Sequence, residues 1–433
     1  MAIARPTPKK NQPAAQNKRR FLAVLGPGLI TGASDDDPSG IATYSQAGAQ
    51  FGYTVSWTML LSYPLMAAVQ EISARIGRTT GQGIAGNIRG HYPPWVLRAL
   101  VLLLCVANVI NIGADLGAMG DALGLLIGGP RLLYVILFGA LCAGLQTFMR
   151  YARYVSLLKW LCLALLAYFG TVMVVHVPWS QAAWGLLVPT LSSDSAFWAM
   201  VVAILGTTIS PYLFFWQASQ EAEDIKAVPE RKPLLRRPGQ APDAFARIRL
   251  DTYIGMAFSN LVALAIIITT AATLHANGIT NIETSAQAAE ALKPVAGPFA
   301  FTVFTLGIVG TGLLSVPVLA GSAAYALGET RRWRVGLDRR PLEAKQFYAA
   351  IVIATLAGAI INFSPINPIK ALYWSAVING IVAVPVMIIM MSMTADRRIM
   401  GKFTLHGPLP VIGWLATAAM ASAVVGMAVT ALL

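Results

Sequence analysis

Charge is what this chain has least of. Only 12% of its 433 residues are Asp, Glu, Lys or Arg, while 56% are hydrophobic. A soluble domain carries about twice that charge, so a water-soluble globule is excluded and a polytopic membrane protein is expected. Cysteine is also scarce. Cys105, Cys142 and Cys162 each sit in an apolar run, so neither a disulfide framework nor a zinc knot is available. The four histidines, His91, His176, His275 and His406, lie at or beyond segment ends, which leaves no histidine metal site at membrane depth. No phosphate-binding loop occurs either, which argues against an ATP-driven pump. With no histidine or cysteine pair at membrane depth, the chain reads as a non-enzyme without a resident cofactor.

The net charge of +13 would point to nucleic acid only if its distribution were ignored. Eleven spans can be read: 22–51, 53–76, 96–126, 131–149, 154–176, 195–224, 251–274, 297–328, 346–363, 368–394 and 410–431. If the N-terminus is cytosolic, all but Arg131, Lys293 and Lys370 of the 32 basic residues fall on the cytosolic side. That asymmetry is the positive-inside pattern, and it explains the charge without a nucleic-acid partner. The expected setting is a bacterial-type inner membrane, multi-pass, N-terminus inside and C-terminus outside, with no obligate protein partner. Residues 1–20 are expected to be a disordered basic tail. Residues 225–249, rich in Pro and Arg, are expected to be a flexible connector. Glu221, Glu223 and Asp224 are expected as a solvated cluster beside it, and Glu71 and Arg75 as a local i,i+4 ion pair. A short amphipathic helix is expected at Thr284–Leu292.

What is present in abundance is helix-forming apolar sequence, and its interruptions carry the information. The first span is broken by Ser34-Asp35-Asp36-Asp37-Pro38-Ser39-Gly40. Proline lacks an N–H and its ring clashes with the preceding turn, and Gly40 adds backbone freedom. A break of this kind is tolerated in a bilayer only where it is buried in protein or lines a watery cavity. Acids at such depth mark function, although one Asp can also serve as a helix cap. The sixth span holds a second break, Gly206-Thr207-Thr208-Ile209-Ser210-Pro211-Tyr212. Two interruptions five spans apart are the pattern of an inverted five-plus-five repeat whose broken helices meet at a midplane site. The repeats are read as 21–176 and 195–394, with a last helix at 410–431. The glycines Gly307, Gly310 and Gly312 read as close helix packing.

These residues resemble a known family. Gly26-Pro27-Gly28, Asp37-Pro38-Ser39-Gly40-Ile41-Ala42-Thr43, Gln46-Ala47-Gly48 and Phe51-Gly52-Tyr53 are similar to the first-helix signature of the Nramp metal-ion transporters. The run from Gly206 to Tyr212 resembles their sixth-helix signature, and Asn367-Pro368-Ile369-Lys370 the start of their tenth. The resemblance implies an all-α LeuT-type fold with eleven helices, the first and sixth broken. It also implies alternating access, commonly with proton-coupled uptake of Mn²⁺ or Fe²⁺. Departures are as informative. The family motif Asp-Pro-Gly-Asn becomes Asp37-Pro38-Ser39-Gly40, and Met-Pro-His becomes Ser210-Pro211-Tyr212. Thr207 stands where the family offers an alanine carbonyl, and Asp-Leu-Ala-Glu becomes Asp115-Leu116-Gly117-Ala118. Asp121 is an acid that the family pattern does not contain.

Loss of a thioether leaves an oxygen-only site: Asp37, Ser39, Gly40, Thr207, Thr208 and Ser210, with Asp35, Asp36 and Tyr212 as secondary contacts. Hydroxyls, carbonyls and carboxylates suit Mg²⁺, Ca²⁺ and Mn²⁺. Mg²⁺ keeps several waters, so a roomier site favours it, with Mn²⁺ second. Asp115 and Asp121 are the candidates for a proton path, with Asn108, Asn111 and Asn379 as weaker polar positions. One alternative is a carboxylate such as citrate, free or metal-chelated, held by the half-helix N-termini. Another is a receptor or scaffold that has lost transport, although keeping two broken helices in lipid would then serve nothing.

Overall fold

The computed structural model of the protein describes residues 32, 34–149 and 161–432. The basic tail, the first half of span one and the cationic stretch Arg150, Arg153 and Lys159 lie outside the described residues. What is described is α-helix joined by turns and 3₁₀ segments. The helices are α1 Pro38–Phe51, α2 Trp57–Thr80, α3 Ile84–His91, α4 Pro94–Ile127 and α5 Arg131–Phe148. Next come α6 Leu166–Val174, α7 Trp179–Leu187, α8 Ser195–Thr208, α9 Pro211–Ala227 and α10 Ala241–Thr273. The remaining principal helices are α11 Ser285–Glu290, α12 Ala300–Arg331, α13 Lys345–Ile361, α14 Pro368–Ala395 and α15 Pro408–Leu432. Among the described residues, seven segments are long and apolar enough to cross a bilayer, and two shorter apolar helices accompany them.

Both expected interruptions are local chemistry made visible. Helix α1 starts at Pro38, where a missing N–H costs nothing, and Asp37 is its N-cap. Helix α8 stops at Thr208, Ile209 and Ser210 leave helical geometry, and α9 restarts at Pro211 with Ser210 as N-cap. The broken pair α8–α9 is the centre of the bundle: 89% of its most apolar window is buried, against 22% for α15 at the rim. Helix α1 packs against α4, α8, α10, α12 and α14. Small residues allow this closeness. A Cβ on Gly206 would lie 2.2 Å from the Ala376 carbonyl of α14, and one on Gly48 would lie 2.1 Å from Thr270 Oγ1 of α10. Gly312 follows the same rule against Met119, as its span was expected to do. Prolines inside α2, α12 and α14 (Pro64, Pro317 and Pro385) are further departures from straight helix.

The ends of the bundle differ in character. At one end Arg131 donates to the Asn362 carbonyl, Lys293 pairs with Glu290, and Asn367 caps α14. The short helix expected in this region is α11, opened by a reciprocal capping box between Thr284 and Gln287. Asp121 belongs here too, accepting from Ser285 Oγ at 2.5 Å.

At the other end two expectations are corrected. The stretch between α9 and α10 is docked rather than free. Arg78 of α2 donates to the Lys232 carbonyl at 2.7 Å and to Gln240 at 3.0 Å, while Leu234 is fully buried. Proline and arginine content read as a loop, but the loop is pinned by α2. The acidic cluster is likewise paired, with Glu221 buried and Glu223 and Asp224 half-buried. Glu221 is buried and paired with Arg247 at 2.5 Å, Glu223 accepts from the Tyr325 hydroxyl, and Asp224 pairs with Arg231. Glu71 and Arg75 do form the local pair, at 2.5 Å, with Arg249 at 3.7 Å from the same carboxylate.

Candidate substrate site at the helix breaks

The site is built where the start of α1 meets the start of α9. Asp37 is 1% exposed, and each of its oxygens is engaged. Oδ1 accepts from Ser39 Oγ at 2.6 Å and from the Gly40 amide at 2.7 Å, so one oxygen closes the first turn of α1. Oδ2 faces the neighbouring helices: Asn111 Nδ2 of α4 lies at 3.2 Å and the Tyr212 hydroxyl of α9 at 3.5 Å. The Tyr212 hydroxyl also reaches the Ser34 carbonyl, at 3.2 Å, on the segment that precedes the break. Asn111 is in turn held by Ser375 of α14, whose hydroxyl donates to Asn111 Oδ1 at 2.8 Å. A single carboxylate thus ties together α1, α4, α9 and α14.

Asp115, one turn beyond Asn111 on α4, is fully buried and accepts from Ser315 Oγ of α12 at 2.7 Å. At the start of α1 the Gly40 amide is met by the Asp37 carboxylate. Asp121 is not part of this arrangement, because it is bonded to Ser285 at the far end of α4. Of the two acids expected along a proton path, Asp115 lies beside the start of α1 and Asp121 at the far end of α4.

The hydroxyls of α8 are only partly available. Thr208 Oγ1 donates back to the Ile204 carbonyl, at 3.1 Å, and Ser210 Oγ to the carbonyls of Gly206 and Thr207, at 2.7 and 2.8 Å. Both hydroxyl protons satisfy acceptors at the frayed end of α8, which leaves each oxygen able to accept but not to donate elsewhere. Thr207 is different: its hydroxyl is buried and unpartnered, and its methyl lies 3.0 Å from where a Cβ on Gly40 would be. Gly40 and Thr207 are therefore a complementary pair, one small because the other is large.

Asp35 and Asp36 turn away from Asp37 toward α10, where Ser259 Oγ stands 2.6 and 3.1 Å from them. Among the described residues, no ion pair involves any of these four aspartates. No group of three His, Cys, Asp or Glu converges into a ready-made cage. The neutral partners Asn111, Ser375, Ser259 and Ser315 were the hardest to anticipate. Only Asn111 carried a signal in the sequence, as a polar residue one turn from Asp115. Of the other asparagines, Asn108 bonds to Leu319 and Ser322 of α12 as interhelical glue, and Asn379 is buried with an unpartnered oxygen.

Two half-helices beginning at Pro38 and Pro211, with a buried carboxylate between them, define a membrane protein of the broken-helix, inverted-repeat type. Solved structures of that architecture agree. The manganese transporter of Eremococcus coleocola superposes with a TM-score of 0.71 at 18% identity, covering 96% of this chain and 87% of that one. MhsT in complex with L-phenylalanine gives 0.60 at 13% identity, covering 94% and 98%. The fold is thus of the LeuT type, with helix breaks ahead of Pro38 and Pro211. The family model for natural resistance-associated macrophage protein-like chains matches residues 28–430, and the chain belongs to that Nramp family. Divalent metal cation transporter MntH of Klebsiella pneumoniae (strain 342) is 27% identical over 423 residues, 95% of each chain. The MntH of Yersinia enterocolitica is 32% identical over 324 residues, 71% of this chain and 74% of that one.

Proposed function

We propose that the protein is a secondary active transporter of a hard divalent cation, Mg²⁺ first and Mn²⁺ second, working by alternating access in an inner membrane. The observation that carries this reading is the Asp37 carboxylate, buried between two broken helices and bonded only to hydroxyl, amide and backbone N–H groups. Oxygen-rich surroundings favour hard cations over later transition metals. With one strong ligand, such a site holds an ion that keeps part of its water, as Mg²⁺ does. Ser39, Gly40, Thr207 and Tyr212 complete the surroundings of the ion, and Ser210 and Thr208 shape the end of α8. Asp115 is the group suited to carry a proton beside the cargo. The N-terminus faces the cytosol and the two repeats span 21–176 and 195–394.

A carboxylate cargo fits less well. The start of α1, which would attract it, is already met by the Asp37 carboxylate, and among the described residues no cationic side chain is paired there. The names carried by the relatives point the same way.

The test is uptake into proteoliposomes, with Mg²⁺, Mn²⁺ and radiolabelled citrate supplied separately. Metal uptake without citrate is expected, and Asp37→Ala should abolish it. Citrate uptake without metal, or wild-type metal uptake by Asp37→Ala, would overturn the reading.

A further inference from the structure

Asp35 and Asp36 have no part in the site just described, and their surroundings ask for something more. Both are buried, 0% and 1% exposed, and neither has a cationic partner. The one group they share is Ser259 Oγ of α10, at 2.6 Å from Asp35 Oδ2 and 3.1 Å from Asp36 Oδ1. A serine hydroxyl has a single hydrogen to donate. Three oxygens therefore converge there, and the Ser259 hydroxyl can donate to only one of the two carboxyl groups.

The remaining oxygens, Asp35 Oδ1 and Asp36 Oδ2, have no hydrogen-bond partner among the described residues. Independent of the acids is Tyr44, one turn beyond Gly40. Tyr44 is 0% exposed, its hydroxyl has no partner among the described residues, and its ring and the Asp35 carbonyl both border Gly40, 3.3 and 3.4 Å from where a Cβ there would lie. A phenol and two carboxyl oxygens buried without partners are expensive unless a ligand satisfies them.

We propose that Asp35, Asp36 and Ser259, with the ring of Tyr44 close by, form a second cation site beside the Asp37 site, taking one small, hard, oxygen-preferring cation. The donor set is carboxylate and hydroxyl oxygen alone, which matches Mg²⁺ or Na⁺ and not a soft metal. Its position gives it a role. The site joins the unwound segment ahead of α1 to α10, so an ion there fixes that segment against α10 while Asp37 handles the cargo at the start of α1. The inference rests on the proposed cation transport only in sharing its ion chemistry, because it involves different side chains.

The experiment is calorimetric titration of the full chain in lipid nanodiscs, with MgCl₂ in sodium-free buffer and NaCl in magnesium-free buffer. The variants are Asp37→Ala, the isosteric pair Asp35→Asn/Asp36→Asn, and Ser259→Ala, each checked for folding by its thermal unfolding midpoint. Two cation equivalents are expected in the wild type, both Mg²⁺ or one Mg²⁺ and one Na⁺. Asp37→Ala should remove one and the Asn pair the other, while Ser259→Ala should weaken the second about tenfold. The NaCl arm tells which ion fills the second site. One equivalent in the wild type, lost in Asp37→Ala and untouched in the Asn pair, would overturn the second site and leave the transport reading standing. No binding in either salt would overturn both. If the Asn pair does not fold, Ser259→Ala decides: unchanged affinities for both ions overturn the second site.

Discussion

Substituting Gly40→Asn returns to this position the residue that the family motif places there, and the structure says that it will not fit alone. The Cβ of any side chain would sit 3.0 Å from Thr207 Cγ2, 3.3 Å from Tyr44 Cε2 and 3.4 Å from the Asp35 carbonyl. The first contact is tighter than a methyl–methylene pair accepts, and Asn adds three more heavy atoms beyond it. Overpacking of a buried site costs about 1–3 kcal/mol. Thr207→Ala removes the offending methyl and with it the unpartnered hydroxyl. The double variant Gly40→Asn/Thr207→Ala should therefore recover most of the loss, with a coupling of about 1–2 kcal/mol, within the range for residues in direct contact. The assay is thermal unfolding of the purified protein in nanodiscs for the four corners of the cycle, with Mn²⁺ affinity measured alongside. A Gly40→Asn protein as stable as wild type, or additive effects in the cycle, would refute the claim that the two positions share one volume.

Three further outcomes are expected. Asn111→Ala frees Asp37 from its link to Ser375 and should lower divalent-cation affinity by about ten- to a hundredfold in calorimetry; an unchanged affinity would mean that Asn111 does not orient the carboxylate. Arg247→Met strands the buried Glu221 carboxylate and should cost about 3–5 kcal/mol, whereas adding Glu221→Gln should return much of it. Equal melting temperatures for the single and double variants would contradict that pairing. Ser210→Met supplies a thioether and should raise Cd²⁺ affinity relative to Mg²⁺ in competition binding, at about 1 kcal/mol of stability for the lost bonds to Gly206 and Thr207. No change in the Cd²⁺ preference would show that position 210 does not face the ion.

What was legible in the sequence was whatever broke a pattern. Pro38 and Pro211 stand inside apolar runs where proline ends a helix, so both breaks and their relation could be read directly. Asp37 was legible for the same reason. Its neighbours were not. A serine or asparagine in a membrane helix says that a hydrogen bond exists but not with whom, and Ser375, Ser259 and Ser315 acquire meaning only once α14, α10 and α12 are placed around α1. Thr207 and Ser210 looked alike as hydroxyl donors, yet one is free and the other is spent on its own helix end. The connector between α9 and α10 was misjudged because composition cannot register Arg78, which holds it from a helix about 150 residues earlier in the chain. Glu221 was misjudged likewise, since Arg247 lies 26 positions away.

One oxygen of Asp37 closes the first turn of α1, and this makes the proposed cargo ligand a structural member of the helix it begins. An ion that draws Oδ1 to itself must take it from Ser39 and the Gly40 amide, and a lost N-cap is worth about 1 kcal/mol. Arrival of the cargo and loosening of that turn are then one event, not a cause followed by an effect. The sum involved is of the size by which one site commonly biases another, about 1–3 kcal/mol. On the proposed function the helix start would work as a clutch, engaged when the site is empty and slipping when it is filled. Asn111, bonded to the other oxygen and to Ser375, links the same carboxylate to α14.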